Sequence, residues 1–292
     1  MKKYVLPFLI SLIIYLLVIP LRGEYVTILG LMGFPLSLLV GSMFFYILTL
    51  LWLNKHSCKI SSNGILFAII MGIIILEVPF RIMFFKSSLV SLPDILFKVF
   101  AVFIAYSVFK IRHIFYKTVV SVLFFSLCFW FSYSGYYYWI HKLSYGTFTG
   151  KTELVMPMPI QSIFENDRNE YINLNDIVCE YLVLNFWTSS CGICFIKFPA
   201  VEKVYKRWNN DKIQIYSIFC RNEKREETLA TGIQLLCERG YMFPSLSIDK
   251  KDPILKDMGV TGFPTVLILD KYRRIVFKGD ILQAEKFLEK VL

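Results

Sequence analysis

The chain has 292 residues, 56% of them hydrophobic and 18% charged, a composition too apolar for a disordered chain or an ordinary soluble enzyme. Its net charge of +10 is unevenly divided, with twelve Lys or Arg against three acids up to Gly146 and twenty against nineteen beyond it. A basic excess spread over short loops between apolar runs is a membrane-topology pattern, which excludes nucleic acid as the partner.

Five apolar runs follow in order, at residues 4–21, 25–53, 64–85, 89–109 and 114–140. Each reaches the ~18–20 residues that cross a bilayer as a helix. Lys2 and Lys3 ahead of the first run fit a signal peptide. However, Pro20-Leu21-Arg22-Gly23-Glu24 is no small-residue cleavage site, so the run is read as a retained helix. With the N-terminus cytoplasmic, Lys2, Lys3, Lys55, Lys59, Lys110, Arg112 and Lys117 fall inside, against Arg22, Arg81 and Lys86 in the short outer loops. That bias follows the positive-inside rule. Everything after Lys142 is then expected outside, and Tyr133, Tyr136, Tyr137, Tyr138 and Trp139 at the outer interface, where amphipathic rings are favoured.

Ionisable side chains inside spans are functional candidates by default. Glu77 and Arg81 stand four apart around Pro79, and Asp94 and Lys98 repeat the spacing in the next run. All four fall toward the outer half, where one polar pocket would be their functional use. The reading adopted is plainer: two locally neutralised pairs, with Asp94 capping a helix after Pro93. Cys58 and Cys128, in a loop and inside a span, are too separated to pair. His56 and His113 fall at the inner face and His141 at the outer. Nothing in this half points to electron transfer, which sets it apart from the vitamin K epoxide reductase family and the cysteine-paired thiol transporters.

A linker is expected over residues 146–158, with Gly146, Gly150 and Pro157, between a polytopic helical membrane domain at 1–145 and an α/β domain at 159–292. Short alternating segments at 160–165 and 170–175 flank a turn-like Asn166-Asp167-Arg168-Asn169. The apolar run 181–187 is a buried strand leading directly into Cys191-Gly192-Ile193-Cys194. Helical spacing then reaches Trp208. A second buried strand is expected at 213–220, a helix at 223–239, a short strand at 245–248 and a helical turn at 253–258. A hairpin at 264–270 and 275–278 and an amphipathic helix at 281–292 close the domain, giving a layered α/β sheet.

A Cys-x-x-Cys by itself also occurs in zinc sites. Here no second pair and no histidine follow in this half, so no metal is expected. Between a buried strand and a helix, the pair is a redox arrangement. Cys191 at the helix N-terminus meets free N–H groups and the positive end of the dipole, which favours its thiolate. Cys194, one turn further in, is then the buried partner that attacks a mixed disulfide formed at Cys191.

The stretch from Pro159 onward resembles the TlpA/ResA-like branch of the thioredoxin fold. The likeness is carried by Val183-Leu184-Asn185-Phe186-Trp187, by Cys191-Gly192-Ile193-Cys194, by Pro199, and by Gly259-Val260-Thr261-Gly262-Phe263-Pro264-Thr265. It implies a thiol:disulfide oxidoreductase whose redox group is the Cys191–Cys194 pair, with no organic cofactor. It also implies a cis Pro264 packed against the pair, and substrate contacts at Trp187 and along the Phe263 backbone. Reduction of envelope protein disulfides, apocytochromes among them, and recharging by an upstream dithiol donor follow from the same likeness. Ser190 stands where relatives commonly have Trp, Ile193 where proline is frequent, Lys197 where many carry Glu, and Asn185 where thioredoxin has a buried acid. Cys194 is thus left without an obvious carboxylate base, and Lys197 would favour a thiolate if aimed at the pair. Cys220 and Cys237 are read as small core residues, with a disulfide among Cys179, Cys220 and Cys237 as the alternative in an oxidising compartment. The rival reading is an assembly or holding factor, whose membrane half binds a partner and whose outer domain captures client thiols.

Overall fold

The computed structural model describes residues 2–23, 25–157 and 163–291 and divides into two compact units, Met1–Ile140 and His141–Leu292. The first unit is built from helices α1 (Lys2–Val18), α2 (Gly33–His56), α3 (Ser62–Met83), a single turn α4 (Phe85–Ser88), α5 (Leu92–Lys110) and α6 (Ile114–Trp130). A five-residue π-helical stretch, Phe131–Gly135, carries α6 into α7 (Tyr136–Tyr145). Among the described residues, five helical stretches are long and apolar enough to cross a membrane. Their apolarity runs all the way round. Tyr15, Leu36, Phe45, Ile69 and Val102 pack inside, while Leu17, Phe67 and Leu123 point outward at 71%, 65% and 64% exposure. A helix that is hydrophobic on every face needs an apolar environment on every face.

The second unit contains strands β1 (Lys151–Pro157), β2 (Ile163–Glu165), β3 (Tyr171–Asn173), β4 (Tyr181–Trp187), β5 (Ile213–Arg221), β6 (Ser245–Asp249), β7 (Thr265–Asp270) and β8 (Arg274–Gly279). Helices α8 (Gly192–Trp208), α9 (Leu229–Cys237), α10 (Pro253–Asp257) and α11 (Ile281–Val291) complete it. The sheet order is β1-β8-β7-β4-β5-β6-β2-β3. β4 runs parallel to β5 and antiparallel to β7, which in turn pairs antiparallel with β8.

The alternation of side chains along β4 splits the core in two. Leu182, Leu184 and Phe186 face one side with Leu267, Leu269 and Met258. Val183 and Trp187 face the other with Ile268, Phe198, Val201 and Leu288. Both faces are covered, which is why β4 reads as a continuous apolar run.

Two expectations change. The stretch read as linker contains β1, an edge strand antiparallel to β8 through Met156↔Ile275 and Pro157↔Arg274. Proline is tolerated there because an edge strand has one side free of ladder bonds. The helix expected over 223–239 is broken. A short 3₁₀ turn at Glu223–Arg225 is capped by Asn222 and ended by Glu226 in the left-handed region at φ 55°. Thr228 then starts α9 with a capping box to Thr231. Residues 158–162, including Pro159 and the start of the segment expected at 160–165, lie outside the described residues.

Candidate active site

β4 ends at Trp187, and the chain makes one tight turn before α8. The Cys191 N–H donates to the Thr188 carbonyl at 3.2 Å, leaving Ser189 and Ser190 as the central turn residues. Cys191 is the N-cap of α8, and its Sγ accepts the Cys194 N–H at 3.2 Å. A helix N-terminus leaves such N–H groups without intrahelical partners, so a sulfur acceptor there is favoured, an anionic one most of all. Cys191 and Cys194 are joined as a disulfide with their Cα atoms 5.3 Å apart. Cys191 is half-buried, whereas Cys194 is enclosed in the core beside Phe198. The pair is therefore asymmetric, with one sulfur available to a partner and the other behind it.

Strand register brings the second motif to the same place. Phe186 pairs with Thr265 across β4 and β7, so Pro264 falls level with Trp187 at the end of the strand that leads into the turn. α10 ends with Gly259 in the left-handed region at φ +72°, closed by the Val260 N–H donating to the Leu255 carbonyl at 2.7 Å. Only glycine takes that conformation without a steric cost. The Phe263–Pro264 peptide bond is cis. Thr265 Oγ1 donates to the Gly262 carbonyl at 2.7 Å, and Tyr145 Oη donates to the Pro264 carbonyl at 2.9 Å. Phe263 is half-buried, packs on the core that holds Cys194, and has the Lys250 ammonium 5.6 Å from its ring centre.

Trp187, expected to touch substrate, is fully buried. Its Nε1–H donates to Ser217 Oγ at 2.8 Å, and its ring lies 4.8 Å from Phe219 and 5.1 Å from Phe198. The residue is a floor under α8 and not a surface contact. Asn185 is buried at 2% exposure on the same sheet face as Trp187. Lys197 is half-buried on α8. Ile193 and Ile196 are the apolar side chains exposed around the pair, at 56% and 74%.

The remaining thiols are free: Cys58 and Cys237 exposed, Cys179 intermediate, Cys128 and Cys220 buried. Burial pushes the Cys220 thiol well above its ordinary value, which leaves it without thiolate and inert.

Sequence reasoning missed two residues at this end. Tyr145 lies just beyond the last apolar run at 114–140, and Glu227 falls within the helix expected over 223–239. Glu227 accepts the Ser189 hydroxyl through Oε1 and the Asn222 N–H through Oε2 at 2.9 Å. No local pattern announces either contact, because each joins segments far apart in the chain.

In the helical unit the two expected charge pairs are one network. Arg22, expected in an outer loop, reaches Glu77 at 2.5 Å and Asp94 at 2.8 Å. Arg81 binds Glu77 at 3.1 Å, and Lys98 binds Asp94 at 2.7 Å and Ser37 Oγ at 3.0 Å. Tyr15 donates to Glu77. Asp94 does not cap α5, whose N-cap is Ser91; its carboxylate is taken up by the two cations. Gly41 makes room for Lys98, since a Cβ there would stand 2.2 Å from Lys98 Cε.

A family model for the AhpC/TSA family matches residues 157–278. Thiol-disulfide oxidoreductase ResA of Bacillus thuringiensis subsp. konkukian is 27% identical over 124 residues, 41% of this chain and 68% of that protein. Thioredoxin-like protein YneN of Bacillus subtilis is 34% identical over 103 residues, 35% of this chain and 57% of that one. Among solved structures, a thiol:disulfide interchange protein from Bacteroides sp. aligns with a TM-score of 0.39 and 23% identity. That alignment covers 47% of this chain and 89% of the other.

Proposed function

We propose that this chain, whose C-terminal half belongs to the TlpA/ResA-like thioredoxin-fold family, is a membrane-integrated thiol:disulfide oxidoreductase that reduces disulfides of envelope proteins. The oxidoreductase chemistry needs only the dithiol. The observation that carries the reading is the asymmetry of the pair, with the Cys191 sulfur held by the Cys194 N–H at a helix N-terminus and Cys194 enclosed behind it.

From the reduced state, the Cys191 thiolate attacks one sulfur of a substrate disulfide. The substrate S–S bond breaks, its leaving sulfur takes a proton, and a mixed disulfide forms at Cys191. Cys194 then attacks the Cys191 sulfur and releases the second substrate thiol. The substrate gains two electrons and two protons, and the enzyme is left with the Cys191–Cys194 disulfide. A dithiol donor of the same compartment returns the pair to the reduced state by the reverse exchange.

The backbone at Phe263 and the exposed Ile193 and Ile196 offer an extended client its pairing edge and apolar contacts. Lys197, three residues after Cys194, adds positive charge on the same helix, which favours thiolate over thiol. Membrane lipid surrounds the helical half, whose five apolar stretches and basic-residue bias support a cytoplasmic N-terminus and an outer thioredoxin-like domain.

The test is a trapping experiment on the full chain in membranes. Cys194→Ser is expected to accumulate mixed disulfides with envelope proteins, visible as reductant-sensitive bands. Cys191→Ser, and the double Cys191→Ser/Cys194→Ser variant, should form none and should lose disulfide reductase activity to background. Unchanged activity in the double variant would sink the oxidoreductase reading in favour of a holding factor.

A further inference from the structure

We infer that Glu227 is a positioning residue for disulfide exchange, clamping through Ser189 the turn that presents Cys191. This deepens the oxidoreductase reading and rests on Cys191 being the attacking thiol.

The turn Thr188–Cys191 is short and carries its own load. Its backbone is closed by the single Cys191 N–H to Thr188 carbonyl bond of 3.2 Å, and the two central side chains are serines. Thr188 and Ser190 hydroxyls stand 3.3 Å apart within the turn. Ser189 reaches out of it, and its hydroxyl donates to Glu227. The other carboxylate oxygen of Glu227 accepts the Asn222 N–H at 2.9 Å, just beyond the end of β5. Glu227 therefore bridges two chain ends that leave adjacent parallel strands, β4 and β5, at the same edge of the sheet.

The carboxylate is itself held from both sides. Glu226 before it sits in the left-handed region at φ 55°, a conformation a non-glycine residue keeps only when its surroundings impose it. Thr228 after it is the N-cap of α9, with its side chain bonded to Thr231 in a capping box. A side chain fixed at its root and doubly bonded at its tip is a rigid strut, and it meets the chain two residues before the reacting sulfur. The turn is anchored at its ends by the buried Thr188 and by Cys191 against the core, while Ser189 and Ser190 between them are half-buried and exposed. The carboxylate bracket sets the angle at which Cys191 enters α8.

The charge of Glu227 and its geometry predict opposite effects, which makes the inference testable. If the carboxylate acted on Cys191 through its charge, removing it would favour the thiolate and move the pH profile of Cys191 alkylation toward acid. If it acts by holding the turn, removing it loosens Cys191 from the helix N-terminus and moves the profile toward alkali. Charged side chains near the pair include Lys197 on α8, Arg239 over the Phe195 ring at 4.3 Å and Lys250 over Phe263, and these variants leave all three unaltered.

The experiment uses the full chain in detergent, reduced, with kcat/KM for a disulfide substrate and the pH profile of Cys191 alkylation read together. Glu227→Ala and Ser189→Ala are each expected to lower kcat/KM by roughly tenfold to a hundredfold, and to move the profile about half a unit toward alkali. The double variant should lose no more than either single one, because the two residues act as a unit. Glu227→Gln is expected to stay near wild type. Its amide oxygen accepts from Asn222 and its NH₂ donates to Ser189, so the strut survives without the charge. An acid-ward shift in both Glu227 variants, or unchanged kinetics in Glu227→Ala, overturns the inference. So does a loss of thermal stability in Glu227→Ala with no movement of the profile. A wild-type chain without disulfide activity would instead overturn the underlying reading, and the two failures are thereby distinct.

Discussion

The five free cysteines share one element and differ in almost everything that controls reactivity. A thiol reacts as its thiolate and only where a reagent can reach it. Cys220 lies near the end of β5 with no exposed surface and a thiol pushed upward by burial, while Cys237 is exposed at the end of α9. In the folded chain in detergent, Cys58 and Cys237 are expected to alkylate at least about a hundredfold faster than Cys220 and Cys128, read by peptide mass spectrometry. Fast labelling of Cys220 without denaturant would contradict the packing of the second unit. The same contrast shows what was legible in the sequence. The reactive pair stood out because strand, turn and helix N-terminus are consecutive, so one reading of residues 181–208 contains the whole constellation. Trp187 was misassigned because an aromatic beside a motif looks alike from the sequence whether it faces solvent or core. The contacts of Glu227 with Ser189 and of Tyr145 with Pro264 were invisible because those partners are distant along the chain.

At the scale of elements, β4, β5, β7 and α8 were legible for a common reason: buried strands are continuous apolar runs and a core-facing helix keeps a 3.6-residue period. β1 was not, since an edge strand needs neither, and its flanking glycines and proline look like a linker. The β7–β8 hairpin shows a local charge at work. Asp270 accepts the Tyr272 and Arg274 N–H groups and the Arg274 guanidinium at 2.6 Å. Burial alone would raise its carboxyl, but the Arg274 and backbone hydrogen bonds prevail and hold it below its ordinary value. A carboxyl depressed in the folded state stabilises the fold above its unfolded value of about 3.9 and loses that contribution as pH falls through the lower folded value. Asp270→Asn is accordingly expected to lower the melting temperature near pH 7 and to leave it almost unchanged in strong acid, the two proteins converging as the pH is lowered toward 2. Parallel curves at every pH would place the effect elsewhere.

The network in the helical unit belongs to the same scale, because it ties α1, α2, α3 and α5 through Tyr15, Ser37, Glu77, Arg81, Asp94 and Lys98 with Arg22 at its centre. Three cations meet two carboxylates. Removing Arg22 leaves each carboxylate a cation of its own, whereas neutralising Glu77 leaves three cations, one buried and two partly buried, around one carboxylate. An uncompensated buried charge costs about 3–5 kcal/mol and a lost hydrogen bond nearer 1 kcal/mol. Glu77→Gln is therefore expected to lower thermal stability in detergent far more than Arg22→Gln. The reverse order would mean that tying helices together outweighs balancing charge.

For the whole molecule, the decisive property is sidedness, and the chain carries its own markers for it. Cys58 is exposed in the turn after α2, and Cys237 is exposed in the second unit. Seven basic residues flank the spans on one side and three in the short loops of the other. Such a bias sets orientation through the short loops near span ends, and the proposed topology predicts Cys58 inside and Cys237 outside. A membrane-impermeant thiol reagent on intact cells, with any outer membrane permeabilised, is thus expected to label Cys237 and spare Cys58, and to label both after lysis. The resting state of the enzyme is read from the same samples. Cys191 labelled without added reductant means a donor keeps the pair reduced, as a reductase requires. Cys191 labelled only after reduction means the pair rests oxidised, and electrons then flow from client thiols to the enzyme. Labelling of Cys58 alone in intact cells would invert the molecule and place its dithiol in the reducing cytoplasm, where structural disulfides are rare and a reductase of envelope proteins has no substrate.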